Sequence, residues 1–195
     1  MNAFDRIYQE IINDQENQFF TEKGWVPIYK VTQEAKILIV GPAPGIKTQE
    51  KQDVLRDKSG ETLREWLGVS DDLFYQSGKF AVLPLDFYFP GKGKVGDLPP
   101  RKGFAEKWHP RLLQEMLQIE LIVLMGLEAQ KHYLKKEFKG TLTKTVFCYD
   151  EFLPKFFPIV HPSPLNFRWM KRNPNFVTEV VPELRKRVQA ILSES

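Results

Sequence analysis

Apolar side chains recur at Phe4, Ile7, Tyr8, Ile11 and Ile12 with the spacing of one helix face, so the chain opens on an amphipathic helix over about residues 3–12. The pattern changes at residues 37–40, where Ile-Leu-Ile-Val runs without polar alternation and is stopped by Gly41; this marks a strand buried on both faces. Apolar runs at 79–87, 121–125 and 156–160 predict three further strands. Helical spacing lies between them, at 62–67, 108–117 and 129–137, and a long helix is predicted over 176–192. Asp57 or Ser59 can cap the helix at 62–67, and Gly68 can end it. Strands alternating with helices predict a three-layer α/β/α sandwich around a central, mostly parallel four-stranded sheet, in a single domain spanning residues 1–195. Sheets of this kind take their ligands at the carboxyl ends of the strands.

Charge changes this picture little. Twenty-eight Lys and Arg against 25 Asp and Glu give a net charge of +3, which permits a phosphate-bearing partner without requiring one. Cysteine changes it more. A lone cysteine, Cys148, can form neither an internal disulfide nor a four-thiolate zinc or iron-sulfur site, so no metal and no cofactor are expected. The first 17 residues lack the basic-then-apolar layout of a secretory signal, and the longest apolar runs are far too short for a bilayer. A cytoplasmic, monomeric protein without a membrane partner is the expectation.

Two rigid turns follow strand ends and carry the candidate chemistry: Gly41-Pro42-Ala43-Pro44-Gly45 after the first strand and His161-Pro162-Ser163-Pro164-Leu165 after the last. A third segment, residues 89–100, is rich in Gly and Pro and bears Lys92 and Lys94. The first turn is not a phosphate-binding P-loop. That motif needs four residues between its glycines and a lysine directly after the second, and Pro42 and Pro44 remove amide donors a phosphate would need.

In this order and about 120 residues apart, the turns at 41–45 and 161–165 resemble the two signature loops of the uracil-DNA glycosylase superfamily, in a branch without iron-sulfur cysteines. Leu121-Ile-Val-Leu-Met-Gly126 and Phe89-Pro-Gly91 extend the likeness, which covers roughly residues 36–170. The resemblance implies a DNA glycosylase that removes uracil or another deaminated base from DNA during base excision repair. Under it, His161 donates a hydrogen bond to the departing base, residues Gly41 to Gly45 shape the base pocket, and Leu165 enters the duplex to fill the space left by the flipped nucleotide. Ser163, Pro164, Arg168, Lys171 and Lys92 contact the DNA backbone.

The sequence also departs from the family pattern. Pro42 and Ala43 stand where many members carry Asp, Asn or Glu, so Asp57 in Asp57-Lys-Ser-Gly60 becomes the candidate to steady the sugar cation or orient water, with Asp53 in reserve. Leu55 takes the place of a base-stacking Phe. Leu83 and Pro84 stand near the usual uracil-reading Asn, which leaves Asp86 to read a base edge.

Plainer roles compete. Asp57 could simply cap a helix, His161 could sit in an ordinary turn, and Leu165 and Leu55 could be core residues. His109, His132, Trp66, Trp108 and Leu112 read as packing or surface positions. Lys92, Lys94 and Arg101 read as solvated loop charges when no nucleic acid is bound. A second reading of the whole therefore stands open: a glycosylase-fold module, weak or inactive in catalysis, that binds DNA or a nucleobase.

Overall fold

A computed structural model describes residues 2–193. Strands β1 (Ile37–Val40), β2 (Phe80–Val82), β3 (Leu121–Met125) and β4 (Phe156–Ile159) form one sheet in the order β2-β1-β3-β4, and every pair is parallel. The helices are α1 (Ala3–Asn13), α2 (Gln18–Glu22), α3 (Ile46–Lys51), α4 (Lys58–Leu67), α5 (Asp71–Gln76), α6 (Phe104–Leu113), α7 (Leu127–Leu134), α8 (Leu142–Phe147), α9 (Phe167–Arg172) and α10 (Val181–Ser193).

The uninterrupted apolar runs have a direct physical reason, because successive strand residues feed opposite layers. Leu38, Val40, Ile122 and Leu124 join the core formed with Ile7, Ile11, Trp108 and Leu112 on one face. Ile37, Ile39, Val123 and Met125 join Leu63, Trp66, Phe176 and Leu184 on the other. With both faces covered, no strand position is left for a polar side chain.

The strand predicted over residues 79–87 is shorter in the structure, where β2 ends at Val82. The chain then bends at Pro84, which has no amide proton to give to a ladder. The Leu83 amide still reaches β1, donating to Ile39 O at 2.9 Å, and the residues after Pro84 grip the turn that follows β1: the Leu85 amide donates to Gly41 O at 2.9 Å and the Asp86 amide to Pro42 O at 3.1 Å. The helix expected at 108–117 starts earlier and ends earlier, as α6, with Gly103 at φ +84° ahead of it. The long C-terminal helix begins as a π-helical turn over Phe176–Val180 before α10. Helices α2, α3, α5, α8 and α9 span five or six residues each, too few for a periodic pattern to register.

Candidate active site

The carboxyl ends of all four strands open onto one cavity of about 570 Å³. Its walls include the whole turn from Gly41 to Gly45, together with Leu55, Asp57, Pro84, Met125, His161 and Ser163. This volume lies in the range of small-molecule sites.

The turn after β1 is held from several sides. Its carbonyls accept the amides of Leu85 and Asp86, and the Gly45 carbonyl accepts the Gln49 amide that starts α3. Gln49 is itself buried; its Nε2 donates to Val26 O at 2.8 Å and its Oε1 accepts the Phe89 amide at 2.9 Å. Gly41 lies close under Met125: a Cβ there would come within 2.7 Å of Met125 Cε and would make that side chain shift.

His161 leaves β4 at the cavity wall. The Ser163 amide donates to its Nδ1 at 3.2 Å, so Nδ1 is the acceptor and the ring proton resides on Nε2. Asn166 Nδ2 holds the His161 carbonyl at 2.8 Å. Nε2 meets no protein partner among the described residues. Burial pushes the imidazole pKa below its ordinary value, and the nearby Asp57 carboxylate opposes that shift without reversing it. The ring is thus a neutral hydrogen-bond donor facing a cavity. Gly126, at φ +89°, carries the turn after β3 past the His161 ring.

Asp57 is at once a cap and a cavity residue. Its Oδ1 accepts the Gly60 amide at 3.0 Å at the head of α4, while Oδ2 makes no hydrogen bond among the described residues. The approach to it is tightly built. Leu55 adopts φ +56°, an unfavourable conformation for a branched side chain, and its carbonyl is pinned by Tyr75 Oη at 2.6 Å and Arg64 Nη1 at 2.9 Å. That carbonyl lies where a Cβ on Gly60 would be, 1.7 Å away, so only glycine fits at position 60.

Two expected site residues lie elsewhere. Asp86 is fully buried and does not line the cavity. Arg101 Nε bonds its Oδ2 at 2.8 Å and Nη2 its Oδ1 at 2.9 Å, and the amides of Tyr88 and Arg101 take further lone pairs at 3.1 Å each. A carboxylate so engaged has nothing left for a base edge. Arg101 is correspondingly not a solvated loop charge; its guanidinium also bonds Asn17 Oδ1 at 2.8 Å and lies 4.5 Å from the centre of the Phe104 ring. Asp53 pairs with Arg56 at 3.6 Å and borders a different, smaller cavity.

The remaining residues line the cavity or stand outside it on the surface. Ser163 Oγ accepts the Leu165 amide at 3.2 Å, turning the chain so that Leu165 stands 89% exposed. Arg168 and Lys171 follow on α9, exposed and without an ion pair among the described residues. Trp169 anchors this helix through Nε1 to Thr143 Oγ1 at 2.9 Å. Lys92 is exposed and paired with Asp97 at 2.5 Å. His109 is buried, with Nε2 on Pro84 O at 2.9 Å and Nδ1 on Tyr133 Oη at 2.7 Å, so it holds the cavity wall from behind.

Glu128 was not singled out from the sequence, yet it also lines the cavity. The available signal was its place in the first turn of the helix that follows β3, since such turns stand at the carboxyl ends of strands. Among the described residues no group of three His, Cys, Asp or Glu could hold a metal ion, and no helix is long and apolar enough to cross a membrane.

The family profile of the uracil DNA glycosylase superfamily matches residues 29–185, and the chain belongs to that superfamily. Among solved structures, the chain is similar to the solution NMR structure of a uracil DNA glycosylase candidate from Methanosarcina acetivorans. The two share 15% identity over 80% of this chain and 93% of that one, with a TM-score of 0.43.

Proposed function

We propose that this protein is a monofunctional DNA glycosylase that hydrolyses the N-glycosidic bond of uracil or another deaminated base in DNA. The observation that carries this reading is the placement of His161: its Nδ1 accepts the Ser163 amide, which leaves the proton to Nε2, burial favours the neutral ring, and the residue borders the cavity at the strand ends. When the bond between the sugar C1′ and the base nitrogen breaks, its electron pair leaves with the base and spreads onto a carbonyl oxygen. An Nε2-H donor at that oxygen is worth most as the charge develops, which is the condition for catalysis rather than mere binding.

The sugar is left cationic at C1′. The unengaged Oδ2 of Asp57 supplies the opposing charge and accepts a proton from the attacking water, whose oxygen bonds to C1′; the released base is protonated by solvent. Among the described residues no lysine lines the cavity to form a Schiff base, and an abasic site with an uncut strand is the product. Leu165 fills the vacated stack, and Ser163, Pro164, Arg168, Lys171 and Lys92 hold the backbone.

The test is base release from single- and double-stranded oligonucleotides carrying one uracil, hypoxanthine or xanthine, read as alkali-sensitive sites. Release by the natural protein from at least one of these, lowered at least about 100-fold in His161→Ala, is the expected result. Binding without release from any of them would leave the non-catalytic module, which the hydrophobic Leu55 in place of a stacking aromatic favours.

A further inference from the structure

Residues 90–98 do more than border the cavity. Pro90, Asp97 and Leu98 line its wall, and between them the chain folds into a tight hairpin. The Gly93 amide donates to Gly96 O at 2.9 Å and the Leu98 amide to Gly91 O at 2.9 Å, while Lys92 and Asp97 close an ion pair across the base. Leu98 packs beneath the turn so closely that a Cβ on Gly91 would lie 3.3 Å from it. Prolines at 90, 99 and 100 stiffen both ends of the segment.

At the tip of this braced hairpin stands Val95, 94% exposed, beside Lys94, which is exposed and has no ion pair among the described residues. Leu165, 89% exposed and two residues beyond Ser163 of the cavity wall, is likewise followed by cations on α9. Two separate segments that each run on from the cavity wall thus share a composition: one exposed apolar side chain flanked by positive charge. A tip one residue wide offers a protein partner no patch to bury. It suits a partner with a stacked apolar interior clothed in phosphates.

We propose that the hairpin is a second insertion element, in which Val95 enters a DNA duplex beside the flipped nucleotide while Lys94 meets a flanking phosphate. This rests on the glycosylase reading above and narrows it, because an element that pries at a stack has work to do only on double strands. The substrate class is therefore duplex DNA, gripped at two points around the lesion.

The test uses the full chain and a duplex that carries a stable abasic analogue, with 2-aminopurine beside it as a stacking reporter, and the matching single strand as control. The natural protein brightens the reporter on binding. Val95→Ser, an exposed change that leaves the fold alone, lowers duplex affinity about tenfold, dims the bound reporter and leaves single-strand affinity unchanged. Lys94→Ala lowers the slope of log affinity against log salt by about one. Equal duplex affinity and equal reporter signal in Val95→Ser overturn the inference while the glycosylase reading stands. Failure of the natural protein to bind either DNA overturns both.

Discussion

Asp57 and Asp86 lie 29 residues apart, each close to the turn after β1, and each could serve a base pocket on sequence grounds alone. Their fates are opposite. Asp86 is fully buried, and a bidentate Arg101 with two backbone amides occupies its oxygens. Asp57 is exposed to the cavity and spends one oxygen on the Gly60 amide. The difference teaches that a carboxylate's role is set by what the fold has already done with its lone pairs. Around Asp86 the chain uses charge to fasten the turn at 83–86 to the N-terminal residues; around Asp57 it uses a helix cap to aim a charge it leaves unspent.

Breaking the buried side of this comparison has the largest effect. Asp86→Ala strands the partly buried Arg101 guanidinium and should cost about 3–5 kcal/mol. Calorimetry would then show a melting temperature lower by roughly 10 °C; an unchanged one would contradict the pairing. His109 braces the same turn through Pro84, and burial lowers its pKa from 6.5 to about 4. The folded state therefore favours the neutral ring. Its contribution is fully present above pH 6.5, and it is lost as pH falls towards 4 because the unfolded chain takes up the proton first. That loss is on the order of 3 kcal/mol, read from denaturant midpoints, and His109→Gln should flatten this part of the profile.

The exposed side is sharpened by Asp57→Asn, which keeps an oxygen for the cap and removes the charge. Base release should fall about 100-fold or more while the melting temperature holds. Loss of stability with activity retained would reduce Asp57 to a cap. Gly60→Ala should cost about 3 kcal/mol or more of stability, because its methyl group displaces the pinned Leu55 carbonyl and with it the Asp57 turn. Relief by a second change at Leu55 to glycine would support that geometry.

The strands and both signature turns were legible because their signals are local: uninterrupted apolar runs bounded by glycine, and prolines beside them. The N-cap role of Asp57 was legible for the same reason. The fate of Asp86 was not, since it depends on Arg101 arriving from the far end of the segment at 89–100, and pairing across a loop leaves no local trace. Nor did the residue pattern show that β2 stops at Val82; Leu85 and Phe87 are as buried as strand residues, but their backbone bonds go to a loop and not to a ladder. Leu55 read as an apolar position, and nothing in its identity announced a left-handed backbone.

The claim on which the account turns is the state of His161, and nitrogen NMR of the imidazole rings measures it directly. The chain has three histidines, so His161→Gln identifies the signal by its disappearance. The account predicts a neutral ring at pH 7 protonated on Nε2, with a pKa below 6.5. A ring protonated on Nδ1, or one still charged at pH 7, would contradict it.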